Sequence, residues 1–450
     1  MEPTKNRENE LNVLRKAALE LLDWTLQDLS PAGTPLTLRC GIEREGHLLL
    51  ETLPPQDQNY PDRFQQKIWE TMRGYAQLFH ARLTAAHPAF SQEIERIYHD
   101  AAGTFLIEAT TRPSSLLDAA QTTIDVSSIL ESLAREDGNR MVFGTAPTGI
   151  RGVLESRGWR NKEILDFLDG ELYSRTHPES GSPYDVLVGR GQHANVSLWL
   201  GNANLFAQEN GHASPLMTAC GNTGAHMLRD MAMPCRHGNY DRIADKQSLS
   251  IQFIDVGKSK HENTAICGVT RHSPKLNRTD PITDATTRLE FRIAASEADP
   301  MDVALAAGAP LVKTLLECCA LDDAGKLLLD DTGRPTLSAP LQAVNFRMPA
   351  SGAEAAQFFN RAGNTYFTFL DTLAARKIAK AEAVFGHSAL AADGKALQEA
   401  KHLAGLGTRM HALYCAEYGL ESAMAPPGAR VEMIRAAGFR GDVGQHAAGA

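Results

Sequence analysis

The sequence lacks the features that mark several large classes of protein. No apolar run approaches the roughly 20 residues of a membrane-spanning helix, so we expect no membrane association. The formal net charge is −9 and lysine and arginine do not cluster, which argues against a nucleic-acid-binding protein. The seven cysteines are odd in number and show no Cys-x-x-Cys spacing, a pattern typical of reduced thiols in a cytoplasmic protein. Residues 1–10 are polar and lack the apolar core of a signal peptide, which also predicts a cytoplasmic location.

Two further absences narrow the chemistry and the architecture. No Gly-x-x-x-x-Gly-Lys-Ser/Thr motif occurs, so a P-loop is excluded as a means of holding phosphate. No internal repeat is evident in the 450 residues.

Apolar residues at helical spacing predict an opening helix over residues 11–29 and another over 63–83. Capping signals predict helices over 116–134 and after Asp299, and composition predicts helix over 353–385 and 394–418.

The most informative stretch runs from Val188 to Trp199. Its two glycines permit a close backbone approach at a turn. Beyond the turn, three polar residues alternate with three apolar residues, and this period of two predicts a strand with a polar face. The three polar residues are His193, Asn195 and Ser197.

Three other stretches place charged groups inside β-prone sequence. A carboxylate within an apolar strand is costly unless it is paired or holds a metal. The four stretches together therefore predict one sheet whose inner face is a polyanionic site. The charged members are Glu43, Glu45, Asp100, Glu108, Arg288, Glu290 and Arg292.

Five carboxylates with one histidine form an oxygen-rich ligand set. Such a set suits Mg²⁺ or Mn²⁺, whereas a zinc site would more often show clustered His or Cys. Two such cations with Arg288 and Arg292 beside them could hold and neutralise the phosphates of a nucleotide during phosphoryl transfer.

These stretches resemble the glutamine synthetase superfamily, which includes glutamate–cysteine ligases. Residues 188–198 are similar to that family's Asn-Gly-x-Gly-x-His-x-His-x-Ser-Leu segment. Residues 288–292, followed by Ala298-Asp299-Pro300, are similar to its Arg-Ile-Glu-x-Arg and Ala-Asn-Pro segments. Glu43-x-Glu45 and the spacing of Asp100 and Glu108 also match, and the four stretches occur in the family's order over most of residues 37–310.

The resemblance implies a role for each of these positions. It implies one metal ion on Glu45, Asp100 and Glu108, and a second on Glu43, His193 and Glu290. It implies that Asn195 and Ser197 lie near ATP, that Gly189 lies near the amino-acid substrate, and that Arg288 and Arg292 contact the phosphates. Arg242 is similar to the arginine that holds the substrate carboxylate. The implied cofactors are therefore ATP and two Mg²⁺ or Mn²⁺ ions, and the implied partners are small amino-acid and amine substrates.

The implied reaction is phosphorylation of a carboxylate by ATP, followed by attack of an amine on the acyl phosphate. Val188 and Asn195 depart from the glutamine synthetase pattern, and a short lead-in helix before Gly41 is more like glutamate–cysteine ligases. We therefore expect a ligase that joins glutamate or a similar amino acid to an amine larger than ammonia. Glutamate–cysteine ligation and a non-catalytic nucleotide-binding regulator remain as alternatives, and a homo-oligomer is left open.

The expected fold is α+β: a curved antiparallel sheet forming a glutamine synthetase-like catalytic domain, with helices outside. A doubly wound parallel sheet is disfavoured because buried parallel strands are continuously apolar rather than alternating. The expected organisation is an N-terminal helix over 1–36, a catalytic core over 37–315, and a C-terminal helical portion of the same domain over 316–450.

Overall fold

The fold is taken from a computed structural model. It describes residues 3–51, 61–88, 90–99, 105–143, 191–207, 213–236, 250–255, 264–269, 287–339, 365–388 and 391–418. Contacts within the chain define two compact units, one of residues 26–359 and the other of residues 1–25 with 360–450. These units differ from the predicted segments that end at residues 36 and 315, and those segment limits stay predictions.

Nine strands of the described chain form one sheet. Its order is β2-β3-β1-β5-β9-β8-β7, with β4 paired to β1 and β6 to β5. All pairs are antiparallel except β7 with β8. The predicted α+β class with an antiparallel sheet is thereby confirmed. The strands are β1 Leu36–Leu49, β2 Ile94–His99, β3 Leu106–Thr111, β4 Arg140–Val142, β5 Gly191–Leu200, β6 Ala203–Asn204, β7 Ser250–Asp255, β8 Thr264–Val269 and β9 Arg288–Ala295.

Helices of the larger unit pack against the sheet and bury its apolar face. The helices of the described chain are α1 Pro3–Leu29, α2 Pro61–Ala86, α3 Phe90–Glu93, α4 Leu116–Glu136, α5 Pro215–Arg236, α6 Pro300–Cys318, α7 Thr365–Ser388, α8 Ala391–Lys401 and α9 Leu406–Tyr418. α4 and α6 contact β1, α6 contacts β5, and α5 contacts β7, β8 and β9. Ile42, Val196 and Leu289 are fully buried on this face, which leaves the residues that alternate with them on the opposite face.

Local sequence sets the ends of the two helices beneath the sheet. The Ser115 hydroxyl accepts the backbone N–H of Asp118 at 3.1 Å and begins α4. The Asp299 carboxylate accepts the N–H of Met301 at 2.8 Å, and Pro300 takes the first turn of α6, where its missing N–H costs nothing. Both capped helices begin where the sequence predicts.

The segment that directly follows α6 is built from turns rather than helix. Helix α6 ends at Cys318, and residues 319–337 form turns joined by isolated β-bridges. Two Leu-Asp-Asp-x-Gly turns follow one another, with Gly325 at φ 74° and Gly333 at φ 76°, a left-handed conformation that glycine adopts readily. These tandem turns are also a short internal repeat, which the sequence analysis missed.

The smaller unit is built from helices. The Asp371 carboxylate of α7 accepts the backbone N–H groups of Gly407 at 2.7 Å and Thr408 at 3.1 Å, so it caps α9 from a neighbouring helix. The guanidinium of Arg15 donates from Nε to the hydroxyl of Tyr414 at 3.2 Å in the buried interior of this unit.

Two predicted absences can be compared with the structure. No helix within the described ranges is long and apolar enough to cross a membrane. The six cysteines whose side chains are described are buried, and no disulfide joins any two of them.

Candidate functional site

The register of β1, β5 and β9 brings one group of predicted ligands together. Glu43 lies opposite His193 in the β1–β5 pair. In the β5–β9 pair, Asn195 lies opposite Glu290. Residues directly opposite in an antiparallel pair send their side chains to the same face. These four side chains therefore share the face opposite the helices, which we call the site face.

A bulge adjusts this register beside His193. The β5–β9 pairing shifts between residues 192 and 194, so that two residues of β9, Arg292 and Ile293, stand opposite the single His193. Bulges of this kind bend a strand locally and re-aim a side chain. Nothing in the alternation of the sequence signalled it.

Glu43, His193 and Glu290 form a group that could hold a divalent cation. Each offers one ligand atom within 4.8 Å of the others, and no other group of three such donors occurs among the residues that the structure describes. His193 Nδ1 lies 3.6 Å from Glu43 Oε2 and 3.5 Å from Glu290 Oε1. These separations are too long for hydrogen bonds. Two carboxylates and one imidazole are a donor set that fits Mg²⁺ or Mn²⁺.

Arg292 supplies a positive charge directly beside this group. Its Nη1 lies 2.7 Å from Glu290 Oε1, and the Glu290 side chain is only 4% exposed. Burial lowers the pKa of Arg292, but Glu290 and, less strongly, Cys267, Glu45 and Glu43 raise it, and the net pKa lies above the ordinary arginine value. The guanidinium is therefore a permanent cation at the site.

Asn195 links Arg288 to the first carboxylate. Its side-chain oxygen accepts Arg288 Nε at 2.6 Å, and its side-chain nitrogen donates to Glu43 Oε1 at 3.0 Å. An amide can do both at once because it carries an acceptor and two donors. The predicted nucleotide-side residues, Asn195 and Arg288, thus belong to the same hydrogen-bonded network as the predicted ligand Glu43.

Ser197 lies further along the site face. Its hydroxyl accepts the indole N–H of Trp199 at 2.8 Å. The guanidinium carbon of Arg39 lies 3.9 Å from the centre of a Trp199 ring, so cation and indole are stacked.

A second pair of carboxylates lies on the other side of Glu43. Glu45 is opposite Glu108 in the β1–β3 pair. Glu45 Oε2 accepts the backbone N–H of Gly191 at 2.7 Å, and Glu108 Oε1 accepts the Thr110 hydroxyl at 3.3 Å. Glu108 also shares a side-chain hydrogen bond with Tyr98.

Arg44 supports Glu45 from the helix side of the sheet. Its Nε and Nη2 donate to the carbonyl of Ser296 at 3.0 and 2.9 Å, and Nη1 donates to the Ser127 hydroxyl at 2.9 Å. The Ser296 hydroxyl in turn donates to the backbone carbonyl of Glu45. Desolvation by burial lowers the pKa of Arg44 to about 10, although Asp299 and other carboxylates raise it.

Three predicted site residues, Asp100, Gly189 and Arg242, lie outside the described residues. Sequence reasoning missed three others that the structure places at or beneath the site: Tyr98, Arg96 and Arg44. The alternation of Arg39, Glu43 and Glu45 does signal that Arg44 points to the other face. The sequence around Tyr98 carries no comparable pattern, because β2 is irregular.

Comparisons with known proteins give a distant likeness of fold. No protein-family model matches the sequence, and no curated protein matches it. The chain is similar to a structure described as a novel glutamine synthase homolog, at 16% identity and TM-score 0.47, covering 94% of this chain and 74% of that one. It is similar to ligand-free GmaS at 13% identity and TM-score 0.45, covering 93% of this chain and 76% of that one. It is also similar to Plasmodium falciparum glutamine synthetase at 11% identity and TM-score 0.47, covering 87% of this chain and 75% of that one. Because these scores are low, the chemistry of the site has to be inferred from its own side chains.

Proposed function

We propose that this protein is an ATP-dependent ligase that joins the carboxylate of glutamate, or of a similar amino acid, to an amine larger than ammonia. The observation that carries the proposal is the convergence of Glu43, His193 and Glu290 within 4.8 Å of one another. Arg292 lies against the same group. Anionic ligands beside a fixed arginine are what a site needs in order to hold both a divalent cation and a phosphate.

The proposed roles combine the contacts of the described side chains with the family resemblance, which alone supplies the roles of Asp100, Gly189 and Arg242. Glu43, His193 and Glu290 would hold one Mg²⁺ or Mn²⁺ ion, and Glu45, Glu108 and Asp100 would hold the second. When bound, these ions supply charge neutralisation on the phosphoryl oxygens. Arg288, Asn195 and Ser197 would orient ATP, with Gly189 near the amino acid and Arg242 on its carboxylate.

The arginines of β9 are suited to stabilise the transferring phosphoryl group. Arg292 is charged at every physiological pH and is fixed by Glu290, while Arg288 is fixed by Asn195. Donors that are already oriented stabilise the charge that develops in the transition state without reorganising first.

ADP release tests the reaction. Purified protein with MgATP or MnATP is given glutamate and related amino acids, each with ammonia, cysteine and larger amines. We expect ADP release that requires both an acid and an amine. Nucleotide binding with no turnover across the panel would contradict a ligase and favour the non-catalytic regulator.

Metal binding tests the site separately. With nucleotide present, Mn²⁺ at 100 times its dissociation constant should stabilise the wild type by about 2.7 kcal/mol. His193→Ala should lose most of this thermal shift. Glu70→Gln, which removes an exposed carboxylate from α2, is the matched control and should keep it. If the wild type shows no metal-dependent shift, the two-metal site is wrong.

A further inference from the structure

The β2 edge of the site face carries an arginine and a tyrosine to which no role has been assigned. Tyr98 lies opposite Glu108 in the β2–β3 pair, and Arg96 lies opposite Thr110. Because Glu108 lies opposite Glu45 in the next pair, Arg96 and Tyr98 share the face of the candidate ligands. The sheet therefore extends its polar face by one more strand.

Tyr98 is tied to the neighbouring strand through its hydroxyl group. Its side chain is hydrogen-bonded to the carboxylate of Glu108. A neutral phenol donates its hydrogen to the carboxylate. The face of the ring forms a platform on the site face.

Arg96 lies on that platform, and none of the residues that the structure describes forms an ion pair with it. Its guanidinium carbon is 4.1 Å from the centre of the Tyr98 ring. Its Nε is buried and has no hydrogen-bond acceptor among the described residues. A partly buried guanidinium normally pairs with an anion, since its planar fork of donors matches a carboxylate or phosphate. Stacking on the ring orients the plane of the Arg96 guanidinium but leaves its N–H groups available to a ligand.

The charge around Arg96 favours a carboxylate over a phosphate chain. Glu108, Glu45 and Glu43 make this part of the face negative, which opposes a polyanion and favours a carboxylate accompanied by an ammonium group. The arginines proposed for the phosphates lie on β9, four strand spacings away in the order β2-β3-β1-β5-β9, or about 19 Å at about 4.8 Å per spacing. The two ends of the site face are thus suited to different anions.

We propose that Arg96, oriented by the ring of Tyr98, binds the carboxylate of an α-amino acid at the β2 edge of the site face. This rests on the proposed function, and it adds a second arginine that would position the acid substrate, beside Arg242, which the family resemblance assigns to the substrate carboxylate. Arg96 is then a binding residue that discriminates amino acids from molecules lacking a carboxylate at that point.

Binding of two separate probes tests this subsite. Calorimetry with L-glutamate, and separately with MgADP, is run on the wild type and on Arg96→Gln. Loss of a hydrogen bond to a charged group should weaken L-glutamate binding about 10- to 100-fold while MgADP binding stays unchanged. Arg73→Gln, on the exposed surface of α2, is the control for loss of one positive charge and should bind both probes as the wild type does.

The ring gives a second, sharper comparison. Tyr98→Phe keeps the stacking surface and should retain L-glutamate binding, whereas Tyr98→Leu removes the platform and should weaken it. Unchanged L-glutamate binding in Arg96→Gln overturns the subsite, as does loss of MgADP binding instead, or a wild type that binds no L-glutamate. Failure of the proposed function is distinct: L-glutamate binding that depends on Arg96, without ADP release, would leave the subsite standing and remove the ligase.

Discussion

Replacing Glu290 with glutamine should destabilise the metal-free protein much more than replacing Glu108 with glutamine. From the sequence alone, removing either carboxylate from a crowded anionic site should cost little, since repulsion is relieved. The structure changes this expectation for Glu290. Its carboxylate is 2.7 Å from Arg292, whose side chain is 17% exposed, so the neutral variant leaves a largely buried cation without its ionic partner.

The size of the effect follows from the partners of each carboxylate. Removing one member of a buried ion pair costs about 3–5 kcal/mol. Glutamine still offers an oxygen to Arg292, so we expect Glu290→Gln to lose about 1.5–3 kcal/mol, the range of a hydrogen bond to a charged group. Glu108 has neutral partners in Thr110 and Tyr98 and faces another carboxylate, Glu45. Glu108→Gln should therefore lose under about 1 kcal/mol, or gain stability.

Urea unfolding with EDTA and without nucleotide measures this difference. Arg292→Met, combined with Glu290→Gln, completes a double-mutant cycle. We expect the second substitution to recover much of the loss, with a coupling of about 1.5–3 kcal/mol between the two positions. Equal losses in the Glu290 and Glu108 variants, or a coupling near zero, would show that the ion pair contributes nothing to the metal-free fold.

Three further predictions concern the frame around the site and the smaller unit. Arg44→Ala should cost about 3 kcal/mol, measured by urea unfolding, because the buried carbonyl of Ser296 loses two donors and a cavity is left. Burial lowers the pKa of His411 to about 4, so the stability that its neutral form contributes is complete above pH 6.5 and is lost as the pH falls toward 4. Between pH 7 and pH 5 we expect calorimetry to show a loss of about 2 kcal/mol in the free energy of unfolding, and this loss should be absent in His411→Phe. Gly407→Ala should destabilise the protein by about 3 kcal/mol, because a Cβ at this position would overlap the carbonyl oxygen of Phe367. Circular dichroism should show a lower melting temperature, and an unchanged melting temperature would contradict the close packing of α9 on α7.

The strands that carry the site were predictable because their signal is local. Alternation in residues 36–49, 191–200 and 288–295 specifies which side chains share a face, and antiparallel neighbours with matching polar faces bury their apolar faces together. Helix caps at Ser115 and Asp299 are equally local. These elements needed no knowledge of the rest of the chain.

The parts that sequence reasoning missed depend on non-local or backbone-specific features. β2 has a register shift between Ile94 and Arg96, so simple alternation does not mark its site-facing residues. In residues 319–337 the repeated Asp-Asp-x-Gly turn signal was overlooked, and the left-handed glycines at 325 and 333 end each turn. The partner of Arg292 could not be chosen from the sequence, because Glu43, Glu45 and Glu290 all share its face.

The distribution of charge on the site face differs from the polyanionic surface that the sequence predicts. The carboxylates lie on the inner strands and on β9, while arginines stand toward both sides, with Arg96 on β2 and Arg288 and Arg292 on β9. Each β9 arginine is tied to a carboxylate directly or through Asn195, so cations and anions fix one another before any ligand arrives. Such a face can receive a divalent cation at its centre and anionic groups at its margins without large rearrangement, which is the condition for electrostatic stabilisation of phosphoryl transfer.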